Sequence, residues 1–215
     1  MKKREILFYA IFFFATNFYA QKSVFFEGSK NVENHHFSPQ KLDTLVSFLK
    51  TSGTSSLIII SNKKVILEWG STQKKHTIHS IRKALLNSLL GIYISNGTID
   101  TTQTIADLKI DDIKPHLTHL EKTATIASLL KSRSGIYHQA AAVSSVMLSK
   151  MPKRGSHQPN ESYYYNNWGF NVLAYILEQK TNRSLYDLFY EHIAQPLRMD
   201  FKNNYTKLYI NETNK

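Results

Sequence analysis

His79-Ser80-Ile81-Arg82-Lys83-Ala84-Leu85-Leu86-Asn87-Ser88-Leu89-Leu90-Gly91-Ile92-Tyr93-Ile94-Ser95-Asn96-Gly97 carries a helical pattern that is apolar around much of its circumference. Asn96-Gly97 supplies the stop. The pattern predicts a long central helix, buried on most sides, that begins near Ser80. Ser80 and Lys83 stand three residues apart, which sets two helical side chains on one face with Cβ atoms about 5–6 Å apart. A neutral lysine amine so placed can take the proton of the serine hydroxyl. The helix N-terminus adds partial positive charge where an oxyanion would form. On spacing alone, the alternative is that Ser80 simply caps the helix.

Ser-x-x-Lys is weak evidence by itself, because Ser38, Ser47, Ser61, Ser71, Ser80 and Ser128 all have a lysine three residues on. Ser47 and Ser128 fall inside amphipathic helical patterns, Ser61 in a hairpin turn, and Ser38 and Ser71 in polar loops. Only Ser80 opens the apolar helix. Upstream, Leu42, Leu45, Val46 and Leu49 have amphipathic helical spacing, which Gly53 ends. Ser56–Ser61 and Val65–Trp69, joined by Asn62-Lys63-Lys64, predict a β-hairpin. Downstream, helical patterns cover 123–132, 140–150, 168–181 and 184–194, with breaks at Gly135 and Pro152-Lys153-Arg154-Gly155. A two-stranded sheet is marginal alone, and Leu57-Ile58-Ile59-Ile60 is too apolar for a surface ornament. Further strands are therefore expected, from beyond residue 215 or from another chain.

A second constellation is Tyr163-Tyr164-Tyr165-Asn166-Asn167-Trp168-Gly169-Phe170-Asn171-Val172-Leu173, phenols and amides at the start of a helix. A tyrosine beside a lysine ammonium is favoured as phenolate and becomes an acid/base candidate. The alternative is an aromatic cluster that packs the helix N-terminus. His116 and His119 share helical spacing but lack an evident third ligand, and they are expected to face solvent in a polar connection.

Composition narrows the classes. The 215 residues are 42% hydrophobic and 20% charged, which suits one domain with a real core and excludes collagen-like, coiled-coil and disordered chains. With no cysteine there are no disulfides, cysteine nucleophiles or cysteine-ligated metals. The formal charge of +11 comes without a long basic run. It predicts weak attraction to anionic surfaces such as cell-wall polymer or lipid headgroups, and no nucleic-acid partner. Lys2, Lys3 and Arg4 precede an apolar run from Ile6 to Ala15, the layout of a secretory signal over residues 1–20. That run is too short for a membrane span of roughly 20 residues, so no stable span is expected once the signal is removed. Phe18 is bulky where a small residue is usual, and an uncleaved N-terminal anchor is the alternative.

Five landmarks in order resemble the serine β-lactamase and penicillin-binding-protein superfamily, in its class C-like branch. His79-Ser80-Ile81-Arg82-Lys83-Ala84-Leu85-Leu86 resembles the S-x-x-K helix start, and Asn96-Gly97-Thr98-Ile99-Asp100 the exit from that helix. Ser128-Leu129-Leu130 with Arg133-Ser134-Gly135-Ile136 resembles the turn "LL-x-x-x-SG-(L/I)". Tyr165-Asn166-Asn167 followed by Gly169-Phe170-Asn171-Val172-Leu173 resembles "Y-S-N-x-G-Y-x-L-L". Glu191-His192-Ile193 through Pro196-Leu197-Arg198-Met199 resembles "I-x-x-P-L-G-M". The resemblance implies an α/β (α+β) fold of β-lactamase/DD-peptidase type, with an antiparallel sheet flanked by helices, an all-helical subdomain, and a sheet left incomplete here. It implies that Ser80 is the acylated nucleophile, Lys83 its proton partner, Tyr165 the shuttle to the leaving group and Asn167 a hydrogen-bonding partner of the substrate amide. Tyr164-x-Asn166 also fits the short motif; Gly169, Phe170 and Leu173 fix the register on Tyr165. An oxyanion hole would use the Ser80 N–H and an N–H from a sheet strand, with no cofactor and no metal.

A (K/H)-(T/S)-G-like third motif is expected after Pro196–Met199, and none follows before Lys215. Arg133-Ser134-Gly135 imitates it but falls between the first two motifs. The expected organisation is a signal at 1–20, a loop at 21–40 and a β-lactamase-related domain at 41–201. That domain comprises the hairpin at 56–69 and the helical region 80–201; at 202–215 lies a tail where the family would continue. The chain then reads as the N-terminal portion of an exported serine hydrolase, periplasmic or bound to the bacterial envelope. It would form an acyl-enzyme on a β-lactam, a peptidoglycan peptide or a small ester. Alternatives are an inactive truncated homologue or envelope-binding protein and, more weakly, an interaction module that uses its basic face.

Overall fold

The computed structural model describes residues 27–28, 31–140 and 143–201. The signal expected over residues 1–20 and the tail expected over 202–215 lie outside the described residues. The sheet is built of β1 (Glu27–Gly28), β2 (Ser56–Ser61) and β3 (Lys64–Gly70) in the order β1-β3-β2. The hairpin connection is two residues, not three. Asn62 and Lys63 both take positive φ, 47° and 62°, as a type I′ turn requires, and Lys64 pairs with Ser61 inside the ladder. β1 joins the other side of β3 in parallel, so the sheet is not purely antiparallel, and segment 21–40 supplies a strand that composition did not show.

β2 has a neighbour on one side only among the described residues. Ile58 and Ile60 stay about half exposed, and the main hydrophobic cluster, from Leu86 to Ala194, includes no sheet residue. Among the described residues, the apolar hairpin thus lacks the cover its sequence called for. The one other β contact among the described residues is an isolated bridge between Thr104 and Thr125.

Helix α1 (Pro39–Leu49) starts where Ser38 accepts from the Lys41 N–H and proline takes the first position. A tight 3₁₀ turn, His79–Ile81, leads into α2 (Arg82–Ser95). Gly97, at φ +78°, closes that helix as its sequence predicts. The burial of α2 departs from expectation. Lys83, Leu86, Leu89 and Leu90 form one buried stripe, while Arg82, Asn87, Ser88, Gly91 and Ile92 are exposed. Its described helical neighbours, α6 (Asn167–Thr181) and α7 (Leu185–Phe189), cover one side.

Between α2 and α6 lie three short helices, α3 (His119–Lys122), α4 (Ile126–Leu130) and α5 (Ser145–Ser149). The last two occupy only parts of the 123–132 and 140–150 patterns. Thr125 caps the start of α4, and the left-handed Ser132 (φ +52°) turns the chain just past its end. α3 is a single turn held by a Thr118/Glu121 capping box within the segment read as a polar connection; His116 and His119 there are indeed exposed. α6 is the spine of the core, with Leu173, Ile176 and Leu177 fully buried, and the left-handed Asn182 ends it. α7 runs into a π-helical turn at Tyr190–Ala194.

Candidate active site

Four of the six Ser-x-x-Lys sites separate by what the hydroxyl does. Ser38 caps α1, Ser47 donates to the Asp43 carbonyl, and Ser128 donates to the Thr125 carbonyl. Ser80 does not cap: no side chain caps either the 3₁₀ turn or α2. Its Oγ instead accepts from Lys83 Nζ at 3.2 Å. His79, just before it, holds φ at +42°, a left-handed conformation costly for a side-chain-bearing residue, which turns the chain where Ser80 is presented. Ser80 is exposed, whereas Lys83 is only 6% exposed.

Lys83 is the hub. Its ammonium donates to Ser80 Oγ, to Tyr165 Oη and, at 2.5 Å, to Asn167 Oδ1. The Phe170 ring centroid lies 4.9 Å from Nζ and shields the amine with an apolar face. Two stretches more than 80 residues apart thus meet at one nitrogen. Burial pushes the Tyr165 phenol upward, but hydrogen bonds with Lys83 and Ser80 and the positive charges of Lys83 and Arg82 outweigh it. The group therefore ionises below the ordinary tyrosine range.

The competing register, Tyr164 with Asn166, faces elsewhere. Tyr164 Oη donates to the Met147 carbonyl at 2.8 Å. Asn166 accepts from the Trp168 N–H, capping α6, and donates to the carbonyls of Ile136 and His138. The Ser134-Gly135 turn supplies this backing. Gly135 has φ +69°, and a Cβ there would meet the His157 carbonyl oxygen at 2.9 Å, so the turn requires glycine. Ser134 itself is buried, and its Oγ accepts from the Ile136 N–H.

Behind the site lies a polar cluster that the sequence did not flag. Trp168 Nε1 donates to Asp112 Oδ2 at 2.6 Å, and His138 Nδ1 lies 3.2 Å from the same oxygen. Buried Glu121 receives two hydrogen bonds from Arg154, at 2.8 and 2.7 Å. Burial raises the Glu121 carboxyl, but the Arg154 bonds, the Thr118 N–H and the charges of Arg154 and His138 hold it below the usual range. The Thr118-x-x-Glu121 capping pattern was the one legible trace of this cluster.

Ser80, Lys83, Tyr165 and Asn167 thus meet on an α/β scaffold, and the chain is a member of the Beta-lactamase family, whose profile matches residues 43–204. It is 23% identical over 187 residues to Protein flp of Staphylococcus aureus strain MW2, an alignment that covers 75% of this chain and 37% of that protein. Among solved structures it resembles FmtA of Staphylococcus aureus, with TM-score 0.56 and 18% identity over 83% of this chain and 53% of that one. It also resembles a protein of Bacteroides dorei DSM 17855 described as a beta-lactamase, with TM-score 0.57 and 16% identity over 76% of this chain and 53% of that one. The chain therefore spans well under two thirds of the length of these relatives.

Proposed function

We propose that the chain carries the nucleophilic half of a serine hydrolase that cleaves an amide or ester through an acyl-enzyme on Ser80. The observation that supports this is the Lys83 ammonium, shared by Ser80 Oγ, Tyr165 Oη and Asn167 Oδ1. In the proposed cycle Ser80 Oγ attacks the substrate carbonyl carbon while its proton passes to Tyr165 Oη in its phenolate form, which the neighbouring Lys83 favours. The Tyr165 proton then goes to the departing nitrogen or oxygen, the acyl group stays on Ser80, and water releases it as an acid. Asn167 would hold the substrate amide. β-Lactams, peptidoglycan peptides and small esters all fit this chemistry. Export to the bacterial envelope belongs to the same proposal, on the strength of Lys2, Lys3, Arg4 and the apolar run that follows.

A second reading is a homologue that binds an envelope peptide without turnover. It draws on the side of β2 that has no strand neighbour among the described residues. A nitrophenyl ester separates the two. The hydrolase reading predicts a burst of about one equivalent of nitrophenolate from the wild type and none from Ser80→Ala. A folded wild type with neither burst nor turnover overturns it in favour of binding.

A further inference from the structure

We propose that Asn166 is a positioning residue that fixes which side chains of the Tyr163–Asn167 segment face Lys83, an inference that rests on the reading of Tyr165 and Asn167 above. Asn166 has extended backbone (φ −119°, ψ 126°), so its neighbours on either side project opposite to it. Tyr165 and Asn167 accordingly reach Lys83, while Tyr164 and Asn166 turn to the 136–147 side. A slip of one residue would exchange the two sets and present Tyr164 and Asn166 to the lysine.

What prevents the slip is the Asn166 amide. It is 8% exposed, and its three hydrogen bonds all go to backbone. The Oδ1 accepts from the Trp168 N–H at 3.1 Å, and the Nδ2 donates to Ile136 and His138 carbonyls at 3.1 and 3.0 Å. A serine, as in the pattern this segment resembles, could keep the cap but could not donate to both carbonyls. An aspartate would keep or strengthen the cap while setting a carboxylate against those two carbonyl oxygens. The asparagine is the side chain that does both jobs.

The test compares wild type with Asn166→Asp and Asn166→Ser by three measurements. These are the thermal melt, the rate of Ser80 labelling by a fluorophosphonate, and the ultraviolet titration of Tyr165 taken as the difference from Tyr165→Phe. Asn166→Asp is expected to melt as a folded protein. Its labelling should be about ten- to a hundredfold slower, in line with misplacement of about 1 Å. Its Tyr165 titration should move up toward the ordinary tyrosine value as the phenol leaves Lys83, with Asn166→Ser intermediate. If both variants titrate and label like the wild type, Asn166 is a cap only and the proposal is overturned. A folded wild type that never labels would sink the hydrolase reading while the Tyr165 titration still decides the role of Asn166. Should the aspartate variant fail to fold, the serine variant carries the same comparison.

Discussion

Replacing Lys83 by methionine separates a structural lysine from a catalytic one. Lys83 is 6% exposed, and its ammonium donates to three oxygens. Those hydrogen bonds to a charged group favour the lysine. Taking the ammonium out of water costs several kcal/mol of the opposite sign. Methionine fills a similar volume with no charge to desolvate, and Tyr165 Oη and Asn167 Oδ1 belong to half-buried residues that water can reach. Exchange of a buried charge for an apolar side chain of similar volume is often close to neutral, so the Tm should move by no more than roughly 2–4 °C for a chain of this size. Labelling of Ser80 depends on the amine and should fall by about 10²–10⁴. Circular-dichroism melts and time-resolved intact mass give both numbers. A Tm drop beyond 10 °C would make Lys83 a structural residue, and unchanged labelling would remove it from the chemistry.

Arg154→Ala should strip the buried Glu121 carboxylate of its guanidinium partner at a cost of about 3 kcal/mol, seen as a Tm fall of roughly 6–12 °C. Because the folded Glu121 carboxyl is held below its unfolded value, its contribution is fully present above the usual carboxylate range. It is lost as pH falls through that range toward the lower folded value. Melts from pH 7 to 3 should therefore be flatter for Glu121→Gln than for the wild type. Gly135→Ala should destabilise by more than about 1 kcal/mol, through the left-handed φ and the clash with the His157 carbonyl, and a urea midpoint checks it. Arg198 occupies φ +52° where the resembled signature has glycine, so Arg198→Gly should leave the Tm unchanged or raise it by a few degrees.

That Ser80, Lys83, Tyr165 and Asn167 would meet was legible because it follows periodicities. Ser80 and Lys83 share a face at a helical start, and Gly169, Phe170 and Leu173 set the register that places Tyr165 and Asn167. The stop at Gly97 is local chemistry, readable from a few residues. What escaped depends on distant partners. Neither the single parallel pairing of Glu27–Gly28 on β3 nor the cluster of Asp112, Glu121, His138 and Arg154 has a local pattern, beyond the Thr118/Glu121 capping box. The breadth of the apolar pattern on α2 overstated its burial, because a pattern reports what a helix can cover and not what covers it. The same mismatch leaves Ile58 and Ile60 half exposed on the sheet.

The most direct test of the account is intact mass after incubation with a fluorophosphonate, run beside Ser80→Ala. Activation of Ser80 by Lys83 and Tyr165 predicts a single adduct on the wild type, mapped to Ser80, and none on the variant. A folded wild type with no adduct, or an adduct that survives in Ser80→Ala, would contradict it.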